Sequence, residues 1–123
     1  MARWRFGGGA ALAATIAALT VVPAHAEDTW VAIYYSRPEF AYGYATNAPT
    51  REAAEAEARD KCVYNGGTDC TWVAVKRNGC AALAWAPDGS WAGGYGATIT
   101  DAEQDAIASN KGLGSIFISK CSS

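Results

Sequence analysis

The chain has 123 residues, half of them hydrophobic, with 10 basic side chains against 12 acidic ones and a single histidine, His25. The net charge of −2 and the scatter of the basic residues, with Lys76 and Arg77 the only adjacent pair, exclude a reader of the nucleic-acid backbone, which needs clustered Lys and Arg. So large an apolar share also excludes a disordered linker.

Met1 to Phe6 carries Arg3 and Arg5, Ala10 to Val22 is a run of small and apolar residues, and Ala24-His25-Ala26 has the form of an A-x-A cleavage site. Residues 1–26 are therefore expected to be a cleaved signal peptide, and the exported chain to begin at Glu27. The run is shorter than the roughly 20 residues needed to span a bilayer as a helix. No cysteine near Ala26 offers a lipid anchor. Removal of 26 residues leaves 97, enough for a single domain, acidic by −4 and without histidine.

Trp30 to Tyr35 is apolar at every position, the pattern of a strand covered on both faces. Ser36-Arg37-Pro38-Glu39 interrupts it, and Phe40 to Tyr44 resumes with aromatic alternation, which predicts a hairpin. Asn47 to Thr50 stops that strand. Thr50 can N-cap a helix over 51–61, with Glu52 in its first turn and i,i+4 pairs Glu55–Arg59 and Glu57–Lys61. Ala54, Ala58 and Cys62 form its small apolar stripe. Trp72 to Lys76 reads as a further strand, and the same order then starts again. Ala81 to Ala86 is a strand, Pro87-Asp88-Gly89 a turn, and Trp91 to Tyr95 the return strand. Thr100-x-x-Glu103 is a capping box for a helix over 101–108, Gly112 and Gly114 end it, and Ser115 to Ser119 is the last strand.

Both halves thus read strand, turn, strand, helix, strand, which predicts two internal repeats, about 30–80 and 81–121, within one domain, 27–123. Pro38 answers Pro87, Gly43-Tyr44 answers Tyr95-Gly96, and Cys80 and Cys121 each close a unit. The expected architecture is α+β: a duplicated ββαβ unit, antiparallel strands, two short helices, and disulfide staples.

Four cysteines permit three pairings. The second unit lacks counterparts of Cys62 and Cys70 together, which favours Cys62 with Cys70 and leaves Cys80 with Cys121. In the chain-entropy model such loops are worth about 2.6 and about 3.9 kcal/mol. Zinc binding is disfavoured by the wide spacing and the lack of histidine, and thiol exchange by the lack of Cys-x-x-Cys. No metal and no cofactor are expected.

The residues constrain chemistry further. Without histidine after Glu27, no Ser-His-Asp or Cys-His arrangement can form. Gly93-Gly94-Tyr95-Gly96 lacks the Gly-Lys-Ser/Thr of a phosphate loop and reads as glycine for close strand packing. A carboxylate pair remains the one enzymatic option, and Glu39 and Asp88 stand in matching turns. All six tyrosines and four of the five tryptophans lie after residue 26. Most must build the core, yet some should face outward. Tyr42, Tyr44, Trp91 and Tyr95 on the return strands are the candidate binding surface, with the Asn65 to Asp69 loop as a second contact region.

Trp30-Val-Ala-Ile-Tyr-Tyr35, Ala41-Tyr-Gly-Tyr44, the alanine-rich helix leading to Cys62, Arg77-Asn-Gly-Cys-Ala-Ala-Leu83 and Trp91-x-x-Gly-Tyr-Gly-Ala-Thr98 together resemble the domain of unknown function 4189 family. The resemblance covers nearly all of the exported chain. It implies a small secreted bacterial protein of mycobacterial type, supports export and disulfides, and transfers no catalytic residue. Family members with a second cysteine pair in the later repeat have it where this chain has Asn110 and a shortened loop.

The resulting expectation is a secreted, non-enzymatic interaction domain, with no catalytic residues, that meets a protein or cell-envelope partner. The alternative is a carboxylate-dependent glycan hydrolase or a glycan binder.

Overall fold

The structure, a computed structural model, describes residues 27–123. The signal-peptide reading of residues 1–26, and His25 with it, lies outside the described residues. Strand β1 (Trp30–Ser36) is followed by a 3-10 turn (Arg37–Glu39), β2 (Ala41–Ala48), helix α1 (Arg51–Tyr64) and β3 (Thr71–Arg77). Then come β4 (Cys80–Trp85), β5 (Trp91–Gly96), α2 (Ile99–Ser109) and β6 (Ser115–Cys121). All strand pairings are antiparallel, as expected, and the strands divide between two three-stranded sheets ordered β2-β1-β3 and β5-β4-β6. Each sheet has its unit's first strand in the middle, so both halves share one topology. Cys80, read from the sequence as the end of the first unit, is the first residue of β4.

The two sheets stack face to face, with one helix on each outer face. Val31, Ile33 and Tyr35 of β1 meet Ala81 and Leu83 of β4 in the central core. On the outer faces, Ala32, Ala45 and Ala48 pack against Ala54 and Ala58 of α1, while Ala82 and Ala84 pack against Ala102 and Ala106 of α2. Alanine on both sides lets each helix lie close to its sheet, and glycine brings the approach to its limit. A Cβ on Gly43 would run into Ala58 O and Cys62 N of α1, and one on Gly94 would run into Ala102 O and Ala106 N of α2. Gly43 pairs with Tyr34 of the central strand, and Gly94 with Ala82. Each unit thus puts a glycine beneath its helix, but under different turns: with the bulges of the two sheets aligned, Gly43 answers Ala92 and Ala45 answers Gly94, so the match of Gly43-Tyr44 with Tyr95-Gly96 does not hold in register.

Helix α1 begins where expected, with Thr50 Oγ1 accepting from the Ala53 amide at 3.1 Å. Helix α2 begins earlier than its expected capping box. The cap is Thr98, whose backbone is extended (φ −127°, ψ 166°) as an N-cap requires, and its Oγ1 accepts from Asp101 N at 3.1 Å. Glu103 instead accepts from the Ser119 hydroxyl of β6 at 2.8 Å. The Glu57–Lys61 pair forms at 2.8 Å. Glu55 does not take Arg59: it accepts from Arg51 Nε at 3.1 Å and from Trp72 Nε1 of β3 at 2.8 Å, a partner that only the tertiary fold supplies.

The two disulfides are Cys62–Cys70 and Cys80–Cys121. Each lies within one unit. Cys62 and Asn110 both stand twelve residues after their helix N-cap. Where Cys62 closes the post-helix loop covalently, Asn110 closes a shorter one by donating from Nδ2 to Leu113 O at 3.1 Å.

Candidate aromatic binding site

Both hairpin turns fall at the same end of the sandwich, because β1 and β4 run through the middle of their sheets and finish there. Arg37, Pro38 and Phe40 from the first turn and Pro87, Asp88 and Gly89 from the second line a shared depression of about 510 Å³. Phe40 also forms one wall of an adjoining groove of about 370 Å³, completed by Trp85 and Phe117. Among the described residues, nothing polar lines that groove. Phe40 and Trp85 meet edge to face at 5.9 Å. Behind Phe117 stand Tyr35 at 5.8 Å and Tyr42 at 5.3 Å.

Broken duplication explains why the groove exists. Each central strand faces a bulge on its last partner, at Val73 of β3 and at Phe117 of β6, which makes Ile33 the equivalent of Leu83 and so Tyr44 the equivalent of Gly93. Along the β3–β5 side, Gly93 lets the sheets close until a Cβ there would run into Val73 O. Along the β2–β6 side, tyrosine rings hold them apart. Phe117 enters the wider side because it is the extra residue of a bulge in β6: Leu83 pairs with Ile118 and Ala84 with Ile116. Bulges re-aim side chains in this way.

Phe40 is held 53 % exposed in the left-handed backbone region at φ 56°, where a bulky side chain is strained. Two anchors keep it there. Its amide donates to Arg37 O at 3.2 Å, closing the 3-10 turn. The preceding Glu39 carboxylate accepts from Ser36 Oγ at 2.6 Å, from Thr68 N at 3.1 Å and from Thr68 Oγ1. Ser36 Oγ accepts in turn from Asp69 N at 2.9 Å. The turn that presents Phe40 is thus tied to the loop closed by Cys62–Cys70, and the Asn65 to Asp69 loop buttresses the turn.

Both carboxylates of the proposed pair are occupied. Hydrogen bonds from the Ser36 and Thr68 hydroxyls hold Glu39 below the usual carboxylate range. Asp88 accepts from Ser90 Oγ at 2.6 Å and Ser90 N at 2.9 Å, which also lowers its pKa, with a smaller contribution from Arg37. Asp88 lines the depression between the turns, whereas Glu39 is engaged with the Thr68 loop. Such groups act as hydrogen-bond acceptors near neutrality. Tyr35 is the opposite case: burial raises its phenol, which stays neutral.

Of the four residues singled out from the sequence, Tyr42, Tyr44 and Trp91 are half-buried against the central core, with Trp91 edge-on to Tyr35 at 5.5 Å. Tyr95 is 55 % exposed near the other end of β5. They do not form one patch. The lining residues Phe40, Trp85 and Phe117 were missed as a group: Phe40 belongs to a turn, and no local pattern announces the bulge at Phe117.

The family model described as a domain of unknown function, DUF4189, matches residues 30–121. The chain belongs to this family. Among its relatives, Protein Rv1269c of Mycobacterium tuberculosis and Protein Mb1300c of Mycobacterium bovis are each 39 % identical over 84 residues. That match covers 68 % of this chain and 63 % of each relative's length. The NMR structure of Rv1813c from M. tuberculosis is similar, with a TM-score of 0.58 and 34 % identity over 76 % of this chain and 74 % of that one. The DUF4189 resemblance read from the sequence is thereby established.

Proposed function

We propose that this DUF4189 chain is a non-enzymatic binding domain that works outside the cytoplasm. The carrying observation is the open groove of Phe40, Trp85 and Phe117, in which an aromatic ring is kept exposed at the expense of backbone strain. Strained residues persist where the surroundings over-determine them, and they cluster at ligand contacts. Two disulfides in so small a chain are consistent with an oxidising compartment. No described helix is long and apolar enough to cross a membrane.

The glycan-hydrolase alternative has less support. Its acid must hold a proton near working pH, whereas Glu39 and Asp88 are both lowered by their hydrogen bonds. Two measurements test the proposal. N-terminal sequencing of exported protein should begin at Glu27. An envelope-binding or pulldown assay should lose its signal in a Phe40→Gly, Phe117→Ala double variant that still melts cooperatively. Retained binding by that variant would remove the groove from the reading.

A further inference from the structure

The groove and the depression beside it share Phe40 as their common wall, so one ligand can occupy both. Their chemistries differ. The groove consists of three aromatic rings and offers no hydrogen-bonding group to a sugar's hydroxyls. It suits an apolar side chain, the kind of anchor that dominates protein–protein contacts when it fills a pocket. Its volume of about 370 Å³ lies at the small end of the roughly 300–1,000 Å³ typical of ligand sites.

The neighbouring depression holds one cation, Arg37, and one anion, Asp88. Asp88 already accepts two hydrogen bonds from Ser90. Arg37 lies across the second turn, its Nη2 where a Cβ on Gly89 would fall. No carboxylate among the described residues forms a salt bridge with it. A guanidinium at the edge of the groove that no described carboxylate pairs with is suited to a carboxylate from outside.

We infer that the site receives an exposed segment of a protein partner that places a large apolar side chain between Phe40, Trp85 and Phe117 and sets a neighbouring Asp or Glu on Arg37. This deepens the binding reading given above and rests on it. The apolar anchor supplies most of the affinity, and the Arg37 contact selects among apolar segments and adds salt dependence.

The test uses the whole oxidised chain as bait for a phage library of random twelve-residue peptides. Enriched peptides should share a large apolar residue within a few positions of Asp or Glu. The best one, synthesised and titrated, should bind at least tenfold more weakly to Phe117→Ala and to Phe40→Gly, the latter removing the ring and relieving its backbone. Arg37→Gln should weaken binding about three- to tenfold at low salt and much less in 1 M NaCl. Absence of enrichment, or enriched peptides indifferent to both aromatic variants, overturns the inference. Acidic and neutral oligosaccharides followed by tryptophan emission form the parallel arm. A glycan response lost in Phe117→Ala, with no peptide enriched, would keep the groove as a binding site and reject the protein partner. No dependence on Phe40 or Phe117 in either arm would reject both.

Discussion

Three strand glycines leave no room for a side chain, and each answers to a different neighbour: Gly43 to α1, Gly94 to α2 and Gly93 to Val73 of the facing sheet. A methyl group at any of them meets backbone atoms that cannot rotate away. Gly43→Ala, Gly94→Ala and Gly93→Ala should each cost about 1–3 kcal/mol, the range for overpacking a tight interior, seen as a lower urea midpoint. Glu39 gives a pH prediction. Its folded pKa is depressed by Ser36 and Thr68, so its contribution is present above the unfolded value of roughly 4.3 and is lost as pH falls through the folded one. Asp88 acts in the same direction from an unfolded value of roughly 3.9. The melting temperature should therefore fall as acid is added below about pH 4, and Glu39→Gln should lower the plateau while flattening that fall.

The helices show which parts of the fold were legible in the sequence. Thr50, the alanine stripe and the Glu57–Lys61 pair are local features, and their expected roles stand in the structure. The start of α2 was misread because Thr98 and Thr100 are both plausible caps, and only the backbone decides between them. Thr98→Ala should cost about 1 kcal/mol, whereas Thr100→Ala should stay within about 0.5 kcal/mol, a contrast measurable by urea denaturation. The strands were legible from their apolar runs and turn residues, but not their division into two sheets, since a buried strand has the same composition wherever it pairs. The groove was least legible of all. It depends on a tyrosine in one unit where the other has glycine, on a bulge at Phe117, and on two turns separated by about fifty residues along the chain.

Across the whole molecule, interior bulk is modest: alanine dominates both helix–sheet layers, and the central layer relies on Val31, Ile33, Tyr35, Leu83 and Ile118. Covalent closure should therefore matter. Replacing both Cys80 and Cys121 by serine should lower stability by about 4 kcal/mol, and replacing Cys62 and Cys70 by about 2.6 kcal/mol, because the longer loop restricts the unfolded chain more. Dithiothreitol should lower the melting temperature of the native chain, and an unchanged value would refute this account. The smaller effect has a local side: without the Cys62–Cys70 bridge the loop that holds Glu39 loosens, and ligand binding at Phe40 should weaken more than global stability implies.

Both crosslinks close within their own half, Cys62–Cys70 before Arg77 and Cys80–Cys121 after Asn78. The peptide link between Arg77 and Asn78 is thus the sole covalent thread joining the two sheets. A single tryptic nick there would give two fragments that migrate separately on a non-reducing denaturing gel, yet stay together in native buffer for as long as the aromatic seam and the Gly93–Val73 contact hold.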